Sequence, residues 1–262
     1  MIAIDLNGRK ALITGGDSGL GAATAKSLAQ AGADVAISYR FKSDAADQVA
    51  ELVRSFGVKA YTLRLDNISD MNEVDTLFRR LDQELGGLDI LVNNAGTDGA
   101  RAMCADSDVA AWRQVVEIDL FGPYYCARAA VERMSKQRRG VIINTSSVHE
   151  FIPWAGYSAY TSAKAGLSMF SKTLAQEVAA TGIRVIAVAP GAIKTPINAN
   201  VWQDPKGLAD LDEKIPMGRV GEPDEIGHTI AFLCSDLASY ITGITVPVDG
   251  GMLLYPDFRQ GG

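Results

Sequence analysis

Residues 10–21 read Lys-Ala-Leu-Ile-Thr-Gly-Gly-Asp-Ser-Gly-Leu-Gly, an apolar run followed by four closely spaced glycines. The run through Thr14 predicts a β-strand, and residues 19–31 predict a helix that ends at Gly32. Glycines permit positive φ and let the backbone approach a ligand closely, while a helix start directs N–H groups and positive dipole at a phosphate. A glycine-rich turn is weak evidence alone. At the first strand-to-helix turn of a parallel sheet it indicates dinucleotide binding, here by Gly15, Asp17, Ser18, Gly19, Leu20 and Gly21.

Apolar runs and helical segments alternate along the rest of the chain. Further strands are predicted at residues 34–38, 60–65, 88–92, 140–146, 184–189 and 244–248, and further helices at 43–56, 70–85, 107–136, 157–180 and 223–234. Continuous Val/Ile/Leu strands are typical of a parallel sheet that is buried on both faces. Regular alternation without a change of composition predicts one doubly wound α/β domain over residues 1–262, with helices on both faces.

One long segment, residues 192–221, interrupts this alternation and carries three prolines. It is predicted to be irregular. Long ordered loops in compact domains tend to be lids or binding loops, so we call it the lid segment.

Composition excludes several classes of function. The 262 residues are 47% hydrophobic and 21% charged, and the net charge of −6 leaves no electrostatic footprint for nucleic acid or an anionic membrane. No apolar run approaches the roughly 20 residues that span a bilayer, and the N-terminus does not read as a signal peptide. We therefore expect a cytoplasmic protein without nucleic-acid or membrane partners.

The cysteines and histidines do not suggest a metal centre. Cys104, Cys126 and Cys234 are odd in number, widely spaced and set among apolar residues, which favours small buried hydrophobes over a disulfide or metal site. With only His149 and His228, a zinc cluster is not expected.

Tyr160 and Lys164 lie four residues apart in a predicted helix, so their side chains share one face at roughly 5–6 Å between Cβ atoms. A phenol with a pKa of about 10 is a poor base at neutral pH, but a neighbouring ammonium stabilises its phenolate. Ser147, at the end of a predicted strand, is placed to hold a substrate oxygen against that phenol. Tyr157 has Thr161 four residues on and lacks such a lysine. An ordinary Tyr–Lys pair on a helix remains the alternative.

The end of the second predicted strand bears on cofactor choice. An acidic residue there binds a ribose 2′-hydroxyl, whereas an arginine accommodates a 2′-phosphate. The chain has Tyr39, Arg40 and Lys42 at this point. We therefore expect NADP, or dual use of NADP and NAD, with a solvated basic loop as the alternative.

Several motifs in fixed order resemble the short-chain dehydrogenase/reductase family over essentially the whole chain. They are Thr14-Gly15-x-x-x-Gly19-x-Gly21, Asn93-Asn94-Ala95-Gly96, Ser147 thirteen residues before Tyr160, Tyr160-x-x-x-Lys164 and Pro190-Gly191. The resemblance implies a seven-stranded Rossmann sheet, usually in a homotetramer.

The same resemblance implies a role for each position. Tyr160 is the general base in oxidation and the acid in reduction, Lys164 lowers its pKa and binds the nicotinamide ribose, and Ser147 orients the substrate oxygen. The remaining cofactor contacts that it implies are Asp66, Asn67, Asn94, Ala95, Gly96, Pro190, Gly191, Ile193 and Thr195.

One position departs from the family. Members commonly carry an asparagine where this chain has Asp119, within Asp119-Leu120-Phe121-Gly122. That asparagine supports a water relay to the lysine. Asp119 is a candidate for the same role through its backbone carbonyl, or its carboxylate pairs with Lys164 and raises the pKa of that lysine.

The substrate is indicated mainly by a likeness to bacterial glucose 1-dehydrogenases within the family, in residues 146–154, 191–199, 215–218 and 250–258. A sugar site needs polar side chains near the hydride position, and the candidates are Asp98, His149, Trp154 and Asn198. Each has a structural alternative, such as capping or loop packing. We expect oxidation of a sugar or polyol hydroxyl; the alternatives are a carbonyl or 3-oxoacyl reductase and, from another class, a non-catalytic dinucleotide sensor.

The C-terminal tail, residues 250–262, contains Leu253, Leu254, Tyr255 and Phe258. It is too apolar for a free tail, and we expect it to pack on a neighbouring subunit or over an active site.

Overall fold

The centre of the protein is a sheet of short apolar strands. A computed structural model, which describes residues 3–254, contains β1 (Lys10–Ile13), β2 (Asp34–Tyr39), β3 (Ala60–Arg64), β4 (Ile90–Asn93), β5 (Gly140–Thr145), β6 (Ile183–Pro190) and β7 (Thr245–Val248). All neighbouring strands pair in parallel, in the order β3-β2-β1-β4-β5-β6-β7. The predicted doubly wound, seven-stranded sheet is confirmed.

Helices cover both faces of this sheet. They are α1 (Gly19–Gln30), α2 (Ser43–Arg54), α3 (Met71–Leu85), α4 (Val109–Val116), α5 (Gly122–Gln137), α6 (Ser158–Val178), α7 (Ala199–Trp202), α8 (Pro205–Asp212) and α9 (Pro223–Cys234). Helices α1, α2 and α9 share one buried core with the sheet, while α3, α5 and α6 share the other. Successive strand residues supply opposite cores, as Leu12 and Ile13 do. Each strand is therefore apolar throughout.

The strand order positions the site. After β3 the chain crosses back to β4 on the far side of β1, so the order reverses between these two central strands. Ligands of open α/β sheets bind at such a point, beyond the carboxyl ends of the strands. The loops after β1, β4, β5 and β6 all emerge at this edge.

The lid segment is less irregular than predicted. It contains α7 and α8, and its two ends meet in a bridge between Ile193 and Gly221. Asp204 caps α8 by accepting from the N–H of Gly207, and Pro205 occupies the first helical turn. An Asp-Pro pair starts a helix as readily as it marks a loop, which explains the wrong prediction.

The long helical region predicted at 107–136 is divided in two. A π-helical turn, Glu117–Phe121, separates α4 from α5 and contains the fully buried Asp119. Such turns insert an extra residue and are frequent at functional sites.

The cysteine prediction is right for two positions and wrong for one. Cys126 and Cys234 are buried, but Cys104 is exposed because it lies in a surface 3₁₀ turn. Between residues 3 and 254, no helix has the length and apolarity needed to cross a membrane.

Candidate active site

A cleft of about 1630 Å³ opens at the carboxyl edge of the sheet. Every site candidate named from the sequence lines it except Gly21. The turn between β1 and α1, which begins at Gly15, is called the glycine loop below. Gly21 lies beneath it, and an added Cβ there would stand 2.2 Å from the carbonyl oxygen of Gly15. Its part is to let the start of α1 pack against the loop.

The glycine loop fits a phosphate. Gly15 and Gly19 have φ of +62° and +52°, a region that side chains disfavour. Helix α1 begins at Gly19 without a side-chain cap from Ser18 and without an acidic residue in its first turn. The N–H groups at this helix start therefore remain available to a dinucleotide phosphate.

The loop is fixed by Thr14, a residue of the glycine motif to which the sequence assigned no role. The hydroxyl of Thr14 accepts from the backbone N–H groups of Asn94 and Ala95, each at 3.0 Å. The side-chain amide of Asn94 donates back to the carbonyls of Thr14 and Gly15, also at 3.0 Å. The amide nitrogen of Asn94 thus holds the loop in place, while Asn94 also lines the cleft, where a cofactor contact stays a prediction. A threonine ending the strand before the first glycine was the available signal.

Basic and aromatic residues line the end of the cleft that lies beside the carboxyl end of β2. The Arg40 guanidinium lies 4.4 Å from the ring centroid of Phe41, and Tyr39 and Lys42 also line the cleft. Asp66 forms an ion pair with Arg64 at 2.8 Å.

Asn67, at the same end, accepts hydrogen bonds from Ser69 through its amide oxygen. These contacts leave its amide nitrogen available for the cleft.

Lys164 is buried behind Tyr160. Its Nζ donates to the carbonyl of Thr145 at 2.9 Å, lies 3.1 Å from a carboxylate oxygen of Asp119, and lies 5.5 Å from the ring centroid of Tyr160. The hydroxyl of Ser147 accepts from the N–H of His149 at 3.1 Å. Helix α6 therefore places the predicted Tyr–Lys pair beside the strand-end serine.

The charges in this group oppose one another. Burial raises the pKa of Tyr160 and outweighs Lys164 and the Ser147 hydroxyl, which lower it. Lys164 therefore lowers the pKa of Tyr160, as the resemblance implies, but burial raises that pKa by more. Burial alone would lower the pKa of Lys164, but Asp119 and Tyr160 together raise it.

The two carboxyl groups are also shifted. Burial raises the pKa of Asp119 despite its contacts with Lys164 and the N–H of Thr97. Burial likewise raises the pKa of Asp98, which is half-buried in the cleft wall.

Three stacked rings, which we call the aromatic wall, stand beside the Tyr160 phenol. His149 stacks on Trp154 with ring centroids 4.5 Å apart, and Trp154 stacks on Tyr157 at 3.8 Å. His149 and Trp154 both meet the Tyr160 ring edge-on, at 6.4 and 6.3 Å. Tyr157 supports Trp154 in this stack but is not among the residues that line the cleft.

His149 presents a hydrogen-bond acceptor. Its Nδ1 lies 3.2 Å from the carbonyl of Ile152, and a carbonyl only accepts, so Nδ1 carries the hydrogen. Burial lowers the pKa of His149, against the opposing effect of the Ile152 bond, and favours the neutral ring. Nε2 is then the acceptor.

The amide of Asn198 makes hydrogen bonds within the lid segment. Its Oδ1 accepts from the N–H and hydroxyl of Thr195 at 3.1 and 2.9 Å, and its Nδ2 donates to the carbonyl of Ile193 at 3.0 Å. Asn198 completes a capping box at the start of the lid and also lines the cleft, where a substrate contact stays a prediction.

The described part of the tail closes one side of the cleft. Met252, Leu253 and Leu254 line it, and the sulfur of Met252 accepts from the N–H of Ala192 at 3.2 Å. The prediction for residues 255–262 lies outside the described residues.

Comparison with known proteins identifies the family. A family model described as Enoyl-(Acyl carrier protein) reductase matches residues 15–253. The chain is 42% identical over 258 residues to 3beta-hydroxysteroid dehydrogenase 1 of Eggerthella lenta, covering 98% of each chain. It is 42% identical to cis-4-hydroxycyclohexanecarboxylate dehydrogenase of Sinomonas cyclohexanicum (93% of this chain, 96% of the other) and 36% identical to glucose 1-dehydrogenase 2 of Bacillus subtilis (96% and 97%).

A solved structure agrees with these relatives. A short-chain type dehydrogenase/reductase from Mycobacterium marinum superimposes with a TM-score of 0.90 at 34% identity, covering 96% of this chain and 98% of that one. The chain belongs to the short-chain dehydrogenase/reductase family, whose dehydrogenases and reductases use NAD(P) to interconvert CH–OH groups and carbonyls.

Proposed function

We propose that the protein transfers a hydride between NAD(P) and a hydroxyl-bearing carbon of a saturated ring, with Tyr160 as general acid and base. The observation that carries the ring assignment is the aromatic wall beside the Tyr160 phenol. The cofactor supplies or accepts the hydride.

Three side chains handle the proton. Ser147 and Tyr160 hold the substrate oxygen between their hydroxyls, at the carboxyl end of β5. In oxidation the phenolate of Tyr160 takes the hydroxyl proton while the hydride leaves the carbon; in reduction the phenol returns a proton to the new alkoxide. Lys164, fixed by the carbonyl of Thr145, holds a positive charge behind the phenol.

The aromatic wall favours a flat, C–H-rich substrate. Saturated rings present C–H bonds on their faces, and these pack on aromatic planes and benefit from removal from water. Three relatives are named for a hydroxysteroid, a hydroxycyclohexanecarboxylate and glucose, and each of these compounds has a hydroxyl on a six-membered ring. A ring-borne hydroxyl is their shared chemistry.

The lid and tail favour an alicyclic alcohol within this class. Ile197, Val201, Leu211 and Leu254 line the cleft from this side. Each is apolar, and the amide of Asn198 makes hydrogen bonds within the lid; Lys214 is a charged lid residue in the same lining. These contacts suit a hydrocarbon ring better than a ring covered with hydroxyls.

A sugar or polyol is the second candidate. The acceptor Nε2 of His149 and the carboxyl of Asp98 both lie in the cleft wall and would accept hydrogen bonds from additional hydroxyls. The likeness to glucose 1-dehydrogenases also supports it. A 3-oxoacyl reductase remains the open-chain alternative, consistent with the description of the family model.

A substrate panel with both cofactors tests the proposal. It contains cyclohexanols, a 3-hydroxysteroid, aldoses, polyols and 3-oxoacyl thioesters, followed by NAD(P)H absorbance. We expect the highest kcat/KM with cyclic secondary alcohols or their ketones. Brisk reduction of 3-oxoacyl thioesters without turnover of any ring substrate would overturn the proposal, and cofactor binding without turnover of anything would point to a sensor.

Trp154→Ala sharpens that test. Loss of the ring stack should raise KM for cyclic substrates up to about tenfold, because aromatic contacts contribute about 0.5–1.5 kcal/mol. The matched control is Trp112→Ala. Trp112 lies on α4, its indole N–H donates to the hydroxyl of Ser158, and it does not line the cleft. If the two variants have equal KM values, the aromatic wall does not contribute to substrate binding.

For the cofactor we propose NADP, or dual use of NADP and NAD, on the strength of Arg40 in the cleft and the absence of an acid from residues 39–42.

We also propose a homotetramer. Tyr124 and Met169, on α5 and α6, form one exposed apolar face, while Tyr240 and Ile244, next to β7, form another. Two separate self-complementary faces are what a tetramer with dihedral symmetry requires. Light scattering should give four chains per particle, and Met169→Asp should reduce this to two; a monomeric wild type would exclude the proposal.

A further inference from the structure

Asp119 places a carboxylate in the interior, directly behind the reacting phenol. One oxygen accepts from the N–H of Thr97 at 2.8 Å, and the other lies 3.1 Å from Nζ of Lys164. The second oxygen makes no hydrogen bond of good geometry with any residue in the described chain, so its contact with Lys164 is an ion pair. A fully buried carboxylate is rare unless it is paired.

The surrounding backbone leaves room for this group. The π-helical turn carries Asp119 to the cleft, and an added Cβ at Gly96 would stand 3.1 Å from the second carboxylate oxygen. The turn and the glycine together form a site for a carboxylate beside Lys164.

The charges facing Tyr160 come from every element around it. Lys164 faces it from α6, Asp119 from the π turn and Asp98 from the loop after β4, while the Ser147 hydroxyl and the His149 ring lie after β5. Glu150 also acts on Lys164. Lys164 and Asp119 already neutralise each other, so ionising Tyr160 leaves a net negative charge in the interior. Without the carboxylate, phenolate and ammonium would form a neutral pair.

We propose that Asp119 is a positioning residue that keeps Tyr160 protonated to higher pH than Lys164 alone would allow, so that the site reduces carbonyls at neutral pH and oxidises alcohols only under alkaline conditions. This rests on the proposed role of Tyr160 as general acid and base, but not on the substrate class. The upward pKa shifts of Tyr160 and Lys164, to each of which Asp119 contributes, point the same way.

A titration of the free protein tests this without turnover. Tyrosinate absorbance in the ultraviolet is recorded against pH for wild type and Tyr160→Phe, and the difference isolates Tyr160 among the eight tyrosines. We expect a midpoint above the ordinary value of about 10. A midpoint at or below neutral pH would overturn the proposal, because Tyr160 would then be ionised where the proposal keeps it protonated. This measurement does not depend on an Asp119 variant that folds.

Asp119→Asn then assigns the shift to the carboxylate. Its Tyr160 midpoint should fall by about 1–2 pH units, the size expected on removing a close like charge. The acid limb of kcat for oxidation should move equally, so that oxidation at neutral pH rises at least tenfold. Asp106→Asn, an exposed carboxyl group outside the cleft, should leave both midpoints unchanged.

Two outcomes separate the possible failures. Identical pH profiles for Asp119→Asn and wild type would show that the carboxylate does not act on Tyr160. Full turnover by Tyr160→Phe would instead refute the proposed acid–base role on which the inference rests.

Discussion

The two walls of the cleft are built in different ways. The side of the cleft expected to bind the cofactor, which we call the cofactor wall, is formed mainly by the backbone of the glycine loop. The side chains of Thr14 and Asn94 hold this loop to the end of β4 through four hydrogen bonds of 3.0 Å. The substrate wall consists of side chains, with Trp154 more than one-third exposed and a lid tied at its base between Ile193 and Gly221. A backbone wall requires particular residues at fixed spacing, whereas a side-chain wall accepts many. The reaction class is therefore better defined by this chain than the substrate.

Tyr160→Phe gives the largest expected effect, because Tyr160 stands where the two walls meet. Removing a general acid and base typically costs 10²–10⁴-fold in rate, so kcat should fall by about that factor. The cofactor wall is untouched, and the Kd of NAD(P)H measured by fluorescence should stay the same. Tyr157→Phe keeps the ring stack and should lose far less activity. Equal losses in the two variants would contradict the assignment of the proton to Tyr160.

Gly21→Ala tests the rigidity of the cofactor wall. The new Cβ would stand 2.2 Å from the carbonyl oxygen of Gly15 and 2.6 Å from the amide of Asn94, so the loop must move. Overpacking of this kind costs about 1–3 kcal/mol, which corresponds to a rise in cofactor Kd of about tenfold or more if the strain falls on the binding conformation. At the control position, Gly57→Ala, an added Cβ meets nothing within 4 Å, although Gly57, unlike Gly21, has a positive φ of +85°. It should lower the free energy of unfolding without changing cofactor Kd. Unchanged Kd in Gly21→Ala would mean that the loop is not preformed.

Arg40→Ala tests whether the cofactor wall, at the end of β2, binds the 2′-phosphate of NADP. A hydrogen bond to a charged group contributes about 1.5–3 kcal/mol, so the ratio of kcat/KM with NADP to that with NAD should fall about 10- to 100-fold. Lys59→Ala removes an exposed positive charge outside the cleft and controls for net charge. If the ratio is unchanged, the basic residues at the end of β2 do not bind a 2′-phosphate.

The contrast between the walls also explains what the sequence could predict. The glycine loop, the strands and the Tyr160–Lys164 spacing are local patterns, and each is found where it was expected. The part played by Thr14 was missed because its hydroxyl binds backbone groups about 80 residues away. Such a partner is defined only once β1 and β4 are paired.

Side-chain function was harder to predict than position. Asn198 lines the cleft as expected, but its amide is used by Thr195 and Ile193, since a polar residue at a turn first satisfies the nearby backbone. The net pKa direction of Tyr160 depends on a balance between burial and the charges on three different elements. That balance is a property of the folded interior, and the spacing of Tyr160 and Lys164 carries only one part of it.

The smallest expected effect lies at the base of the lid. Arg219 makes two hydrogen bonds to the carboxylate of Glu225, at 2.7 and 2.9 Å, and Glu225 also accepts from the N–H of Glu222. These contacts, with Arg219 first, lower the pKa of Glu225 from 4.5 to about 2. A pKa that is depressed in the folded state contributes stability above the unfolded value, and this contribution is lost as the pH falls from 4.5 towards 2.

Glu225→Gln measures that contribution. Both side chains are nearly half exposed, at 48% and 42%, so solvent screening reduces it to about 0.5–1 kcal/mol at neutral pH. Urea unfolding of wild type and variant should show this difference in the free energy of unfolding at pH 7, and the difference should shrink steadily below pH 4.5. Glu51→Gln removes an exposed carboxyl group on α2 and should show no such trend. If the difference stays constant down to the acid transition, the ion pair does not hold the base of the lid. The backbone bridge between Ile193 and Gly221 would then hold it. In that case the substrate wall would depend on backbone contacts, as the cofactor wall does.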